Sequence, residues 1–429
     1  MNKNKITLSL AAALTLGMSA NTMAAGFQLA EYSATGLGRA FAGEAAMADN
    51  AGAQFRNPAM LTYLEGTQFS IGAIYVDPNI DIKGTNTPYG TDQKVQSNAD
   101  DIANSAVIPN FYFSQQINEK FFWGFALSTN YGMETELPSD FAGSQFGNEA
   151  MVKTIEFNPN IAYKLNETLS FGAGIRYIRG EGHFGAVSSA DFGPIPKGTT
   201  LKYMEGDTDA WGWQAGTAWQ INEDNRIGFN YRSEVELKLK GHAEGLAFGL
   251  MPGEQLAGSM NLILPATAEL ASFHQLTSKL AIHASFNWTD WSSFERLEAN
   301  LEKIGTQLIK QENWEDNYRL AIGTTYQLNK DLALRGGVAY DTSAVNDNNR
   351  TLTIPETDRL WLSTGIGYDW SKNLTIDAAF TYIFAKDASV DEPRNGIASD
   401  NSSVPFGGTY SGEITGNVWL VGVQASYRF

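Results

Sequence analysis

The side chains that usually carry enzyme chemistry are scarce in this sequence. It holds four histidines, His183, His242, His274 and His283, and no cysteine. No His-Glu-x-x-His run offers a zinc-protease pair, and no Gly-x-Ser-x-Gly run offers a nucleophile elbow. Asp207 and His183 could be brought together from loop ends as a hydrolase pair, but nothing in their spacing requires it. Gly36, Gly38 and Gly43 have neither a preceding strand nor the spacing of a dinucleotide loop. Without thiols there is no disulfide framework, thiolate metal site or cysteine nucleophile. The expectation is therefore a protein that is not an enzyme and uses no metal or cofactor. The chemistry that remains is binding. Arg39, Arg56, Arg179, His183 and Lys310 are cations able to hold an anionic head group through charge-assisted hydrogen bonds. Leu246, Phe248, Leu250, Met251 and Leu256 form an apolar cluster in a loop-like segment. Such a cluster marks a binding surface or packs its loop onto the body of the protein.

The elements that would position these residues begin with an export signal. Lys3 and Lys5 precede an apolar run from Ile6 to Met18, and Thr22, Met23 and Ala24 precede Ala25. That pattern reads as a secretory leader over residues 1–24, cut after Ala24. The run is too short, and too broken by Ser9, Thr15 and Gly17, for a membrane helix of roughly 20 apolar residues. The chain carries 47 acidic and 30 basic residues, and losing Lys3 and Lys5 leaves 28 basic, a net charge of −19. So acidic a surface argues against a nucleic-acid partner.

Hydrophobicity is hidden in a period of two. Asn417, Trp419, Val421, Val423, Ala425, Tyr427 and Phe429 lie on one face of an extended chain, and Gly422, Gln424, Ser426 and Arg428 on the other. The alternation recurs in Leu169, Phe171, Ala173, Ile175 and Tyr177, and in Tyr318, Leu320, Ile322, Tyr326 and Leu328. One apolar and one polar face per strand is what a transmembrane barrel requires, and it leaves the average composition mild. Short polar turns occur at Asn118 and Glu119, Asn166 and Glu167, Glu223 and Asp224, Thr277 and Ser278, Asn329 and Lys330, and Ser371 and Lys372. Long polar segments separate the pairs, at 78–101, 181–209, 241–258 and 387–415. Short turns on one rim and long loops on the other are the periplasmic and exterior asymmetry of outer-membrane barrels.

Six hairpins give twelve strands, and one more at each end, 68–77 and 416–429, makes fourteen. An even, closed barrel has no edge to leave unsatisfied in hydrocarbon. The fold class is thus an all-β transmembrane antiparallel barrel of about 14 strands over residues 67–429. Residues 25–66 lack the alternation and are rich in small residues, including Gly36, Gly38, Ala40, Ala42 and Gly43. They end at Arg56, Asn57, Pro58 and Ala59, where Pro58 keeps Asn57 out of the helical region. A compact segment of this kind reads as a plug, or hatch, inside the lumen.

At this point the chain resembles the FadL family of outer-membrane long-chain fatty acid transporters. The resemblance rests on Ala25 to Leu29, on Gly36, Leu37, Gly38, Arg39 and Ala40, and on the hatch motif Arg56, Asn57, Pro58, Ala59. It extends through Tyr75 to Pro78, Asn130, Tyr131 and Gly132, Tyr231 to Glu234, and Tyr318 to Thr325. It implies a monomeric fourteen-stranded barrel closed by a hatch, taking fatty acid from outside and releasing it sideways into the membrane. It also implies that Lys310 lies in the ligand pocket, which ranks Lys310 first among the head-group candidates. The long loops depart from the family, notably a shorter third loop around 182–209, so substrate range is left open between fatty acids and other hydrophobic compounds. A general or sugar-type porin is the alternative. Partners implied are a hydrophobic ligand, outer-membrane lipid and lipopolysaccharide, and the barrel assembly machinery.

Two finer expectations follow. Phe429, with Tyr427 behind it, resembles the terminal signal read during barrel insertion. If the turn at 117–119 sets Gln116 opposite Lys120, paired positions sum to 236 and Ala106 faces Asn130. Asn130, Tyr131 and Gly132 would then bend the strand and open the wall, as an inward kink does at this triplet in the family.

Overall fold

The computed structural model describes residues 26–88, 91–393 and 408–429. The expected leader and its cut site lie outside these residues. The wall opens with β1 (Thr67–Thr87), flanked above by the short β2 (Val95–Ala99), and continues as β3 (Ala106–Gln116), β4 (Phe121–Ser128), β5 (Gly132–Glu136), β6 (Glu149–Lys164) and β7 (Leu169–Val187). Next come β8 (Thr200–Asn222), β9 (Asn225–Arg232), β10 (Val235–Glu244), β11 (Gln255–Leu264), β12 (Thr267–Gln275), β13 (Leu280–Thr289), β14 (Arg296–Leu301) and β15 (Gly305–Gln311). It ends with β16 (Asn317–Gln327), β17 (Leu332–Asp341), β18 (Arg359–Asp369), β19 (Leu374–Ala385), β20 (Ala388–Glu392) and β21 (Thr409–Arg428).

Seven staves of the barrel are broken into a lower and an upper strand: β3 and β2, β4 and β5, β9 and β10, β12 and β11, β13 and β14, β16 and β15, and β19 and β20. Counting each pair once gives fourteen antiparallel staves. The circle closes where β1 pairs with β21 on one side and β3 on the other. Outward residues on each strand are apolar and exposed, as at Ile161, Phe171, Ile175, Leu320 and Val423. Aromatic pairs lie at both edges of this belt. Phe69 and Tyr427 lie 5.6 Å apart near the short turns, and Tyr75 and Trp419 lie 5.3 Å apart at the other edge. Such rings sit at membrane interfaces.

The structure corrects the strand bounds drawn from the sequence. β1 runs ten residues past Asp77, and β7, β8 and β21 reach well into segments assigned to loops. Beyond the membrane neither strand face meets lipid, so the apolar marker disappears while the backbone ladder continues. The register of the first hairpin also differs. Phe111 faces Leu127 and Gln116 faces Phe122, a sum of 238, because a four-residue turn lets the Ile117 N–H donate to the Phe121 carbonyl. Ala106 therefore does not face Asn130; its neighbour is Val76 on β1.

Candidate functional site: a sealed axis and an open side

Residues 26–66 fill the lumen. Short helical turns lie at Ala34–Leu37, Ala53–Arg56 and Pro58–Tyr63; the first and last are capped by side chains, Ser33 accepting from the Gly36 N–H and Asn57 from the Ala59 N–H. Asn57 is extended, with φ −151°, as the proline after it requires. Its amide nitrogen donates to the Ala45 carbonyl at 2.6 Å and to Thr217 of β8 at 3.0 Å, so the motif stitches hatch to wall.

The wall meets the hatch through glycines. A Cβ on Gly172 would run into the backbone joining Pro58 and Ala59, one on Gly228 into the Ala45 carbonyl, and one on Gly337 into the Arg39 carbonyl. At Gly365 it would come within 2.7 Å of the Cα of Gly38. Glycine is the residue that lets two backbones touch here. Ion pairs complete the attachment. Arg39 binds Glu44 at 2.8 Å and Asp49 at 2.6 Å, and Arg56 binds Glu269 of β12 at 2.8 Å. Burial pushes the Asp49 carboxyl up, but the Arg39 guanidinium outweighs it and holds the group down at about 2. Glu31 lacks so close a cation, and burial pushes it up to about 7 against the pull of nearby backbone N–H groups, Arg359 and Arg319. Arg39 is thus committed to hatch carboxylates and Arg56 to a wall carboxylate.

Above the hatch lies a charged floor that the sequence reading missed. Glu156 of β6 is held between Arg176 of β7, at 3.0 Å, and Arg232 of β9, all buried. Arg232 also donates to the Phe55 carbonyl of the hatch at 2.6 Å. The signal was available: Arg176 and Arg232 stand on the lumenal register of apolar-faced strands, where a charge needs a partner.

Over this floor the lumen becomes apolar. One cluster gathers Phe27, Tyr131, Val152, Ile178, Leu237, Trp291 and Trp314, and a second gathers Met204, Phe248, Leu301 and Ile309. Phe184, Met260 and Leu297 pack against both, so the two form one chamber. Phe27 lies at its centre, 4.6 Å from the Trp291 ring. Lys310 lies on the boundary, opposite Leu297, 6 % exposed, with its ammonium 5.2 Å from the centre of the Phe184 ring. No ion pair involves Lys310 among the described residues. Phe248 and Leu250 pack into this chamber and Leu246 is half-buried, whereas Met251 is exposed. Arg179 and His183 occupy the outward register of β7, where Arg179 pairs with Asp207 and Asp209 and His183 approaches Glu149. They point away from the chamber, which corrects their choice as head-group ligands inside it.

The wall is interrupted beside the chamber. β3 pairs with β4 only from Phe111 to Gln116, and Ala106–Asn110 has β1 alone as a neighbour. On the far side the chain turns inward after Ser128. The Asn130 carbonyl accepts the Leu29 N–H, and the Gly132 N–H donates to the Phe27 carbonyl, each at 2.8 Å. The triplet has exchanged its wall partner for the hatch. The gap is closed above by the Glu136 N–H donating to Ile102, and the buried side-chain amides of Asn110 and Asn130 have no partner in it.

A fourteen-stranded barrel with an aromatic-ringed lipid face and an occupied lumen is an outer-membrane protein whose axis is not an open pore. The family model for the outer membrane protein transport protein group (OMPP1/FadL/TodX) matches residues 15–429, and the chain belongs to that family. It is 35% identical to the long-chain fatty acid transport protein of Escherichia coli O6:H1, over 99% of this chain and 98% of that protein. It is 32% identical to outer membrane protein P1 of Haemophilus influenzae, over 99% and 100% of the two. The fold matches a solved Pseudomonas aeruginosa FadL homologue with a TM-score of 0.82 at 24% identity, covering 94% of this chain and 100% of the other.

Proposed function

We propose that this protein passively carries long-chain fatty acids, or hydrophobic molecules of similar shape, from the exterior into the outer membrane. The ligand enters the chamber between the upper strands. Lys310 holds its carboxylate, and the apolar walls hold its tail. It leaves through the gap between β3 and β5 rather than through the hatch. The observation that carries this reading is the pairing of a blocked axis with an interrupted side wall. A tail of about sixteen methylenes gains roughly 12 kcal/mol from staying out of water. Passage down the axis would drive that tail across the Glu156, Arg176 and Arg232 floor and a hatch fastened by ion pairs. Passage sideways keeps it in apolar surroundings from chamber to bilayer. The similarity to proteins named for long-chain fatty acid transport supports the same substrate class. Signal-peptide export over residues 1–24 and insertion by the barrel assembly machinery belong to the same reading.

The test is planar-bilayer conductance together with identification of copurifying lipid. A closed barrel that retains a fatty acid or comparable hydrophobe is expected. Large steady ion currents with no bound hydrophobe would replace this reading with a porin.

A further inference from the structure

The voids at the margins of the chamber are small. The cavity between the hatch, at Tyr32 and Arg56, and the wall, at Arg319 and Asp341, measures about 40 Å³, and the void by Met204, Leu239, Met260 and Leu301 about 10 Å³. Sites for small ligands occupy ~300–1,000 Å³. Neither void holds a tail, and one element of the wall is placed to make room by moving.

The β10 and β11 hairpin is paired to itself along its full length, from Val235 opposite Leu264 to Glu244 opposite Gln255. Its ties to the rest of the barrel are confined to its upper half. β10 meets β8 only from Lys240 opposite Asp207 upward, and β11 meets β14 only where Gly258, Ser259 and Met260 face Leu301, Asn300 and Ala299. The lower half, 235–239 with 261–264, has no strand ladder on either flank. It leans inward, and Val235 and Leu237 lie where Gly212 of β8 and Gly180 of β7 would carry a Cβ, 2.6 Å away in each case. Its inner face, Val235, Leu237, Leu239, Leu262 and Leu264, is buried in the chamber. Its outer face, Glu236, Lys238, Asn261 and Ile263, borders an external groove of about 370 Å³ whose other bank includes Arg296, Glu298 and Asn300. The base is held by hydrogen bonds: the Tyr131 hydroxyl donating to the Pro265 carbonyl at 2.7 Å, the Trp213 N–H donating to Ser233 Oγ at 3.0 Å, the Ser233 N–H donating to the Trp213 carbonyl at 2.9 Å, Arg176 donating to the Ser233 carbonyl at 2.8 Å, and the Asp290 N–H donating to the Ala266 carbonyl at 3.0 Å.

We infer that the lower half of the β10 and β11 hairpin is a flap that swings outward into the external groove when ligand binds, opening the tail subsite along its inner leucine face. This rests on the proposed fatty acid function and adds the element that makes room for the tail. The groove outside, of about 370 Å³, offers space to receive the displaced strands. The hairpin's own ladder stays intact, and the hydrogen-bonded residues at its base, Ser233, Pro265 and Ala266, form the hinge.

Because the chain has no cysteine, two can be introduced cleanly. Spin labels at Asn261→Cys and Asn300→Cys face each other across the groove. Saturating palmitate should shorten the distance between them, with palmitate binding measured on the same sample by displacement of a fluorescent fatty acid. Saturated binding with an unchanged distance overturns the flap and leaves the fatty acid reading standing. Absence of saturable palmitate binding removes that reading and the flap with it. As an independent measurement, a bulky maleimide on Asn261→Cys alone fills the groove and should weaken palmitate about tenfold or more relative to the unlabelled variant. Equal affinity of labelled and unlabelled protein overturns the inference.

Discussion

Replacing Lys310 with methionine should separate ligand binding from folding. Lys310 is almost wholly buried, faces Leu297 and rests on the Phe184 ring without an ion-pair partner. A buried cation that lacks a carboxylate is a cost to the folded barrel, so an apolar side chain of similar length leaves stability unchanged or raises it. A fatty acid carboxylate loses a charge-assisted hydrogen bond of about 1.5–3 kcal/mol, which is roughly ten- to hundredfold in affinity. Hexadecanol, which presents the same tail without the charge, should bind Lys310→Met and wild type alike. Displacement of a fluorescent fatty acid from detergent-solubilised protein measures both ligands, and heat-modifiable migration on gels reports the fold. Equal loss for acid and alcohol would show that Lys310 shapes the chamber rather than reading the charge. No loss for the acid would remove Lys310 from the site.

Three further outcomes follow from the same geometry. Gly337→Ala places a Cβ against the Arg39 carbonyl; overpacking of this kind costs about 1–3 kcal/mol, and the displaced hatch should raise ion conductance, whereas Gly336→Ala, with open space around it, should not. Glu31 is raised by burial to about 7, so its contribution to hatch docking is fully present below the free carboxyl value of about 4.5 and is lost as pH rises through 7. The swing is of order 3 kcal/mol; protection factors of hatch amides, corrected for the intrinsic pH dependence of exchange, should be higher at pH 5 than at pH 8, and Glu31→Gln should flatten the difference. Deleting Phe429, whose N–H donates to the Thr67 carbonyl at 2.9 Å and whose side chain is exposed, should sharply lower outer-membrane levels in cells; normal insertion would mean that it is a girdle aromatic and not an assembly signal.

The strands that cross lipid were legible because lipid imposes a period of two, as between Leu169 and Tyr177 or between Asn417 and Phe429. The same strands above the membrane were not legible. Segments such as 78–87 and 200–209 have no outward apolar run, only a few inward apolar residues such as Ile80, Ile82 and Met204, and ladder hydrogen bonds keep them extended. The first hairpin slipped by two in the sum of paired positions because a turn's length depends on which N–H closes it, here that of Ile117. The inward turn at Asn130 to Gly132 was expected, but its partner was not. The bonds to Phe27 and Leu29 join segments about a hundred residues apart, and nothing local encodes that contact. Among the cations, residue type alone could not separate Lys310, left unpaired in an apolar niche, from Arg39 and Arg56, which are neutralised by Glu44, Asp49 and Glu269. Which carboxylates surround a cation is decided by tertiary packing.

The central claim is that ligand leaves sideways, and Ala106 tests it most directly. Ala106 is buried on the lumenal register of β3 at the stretch that has no partner toward β5. Ala106→Arg puts a long charged side chain in the gap without touching Lys310, the hatch ion pairs or the aromatic rings. Uptake of labelled palmitate by cells should fall to the level of cells lacking the protein, while palmitate binding by the purified variant and its amount in the outer membrane stay at wild-type levels. Wild-type uptake by a normally inserted Ala106→Arg barrel would contradict the lateral route and direct attention to passage past the hatch.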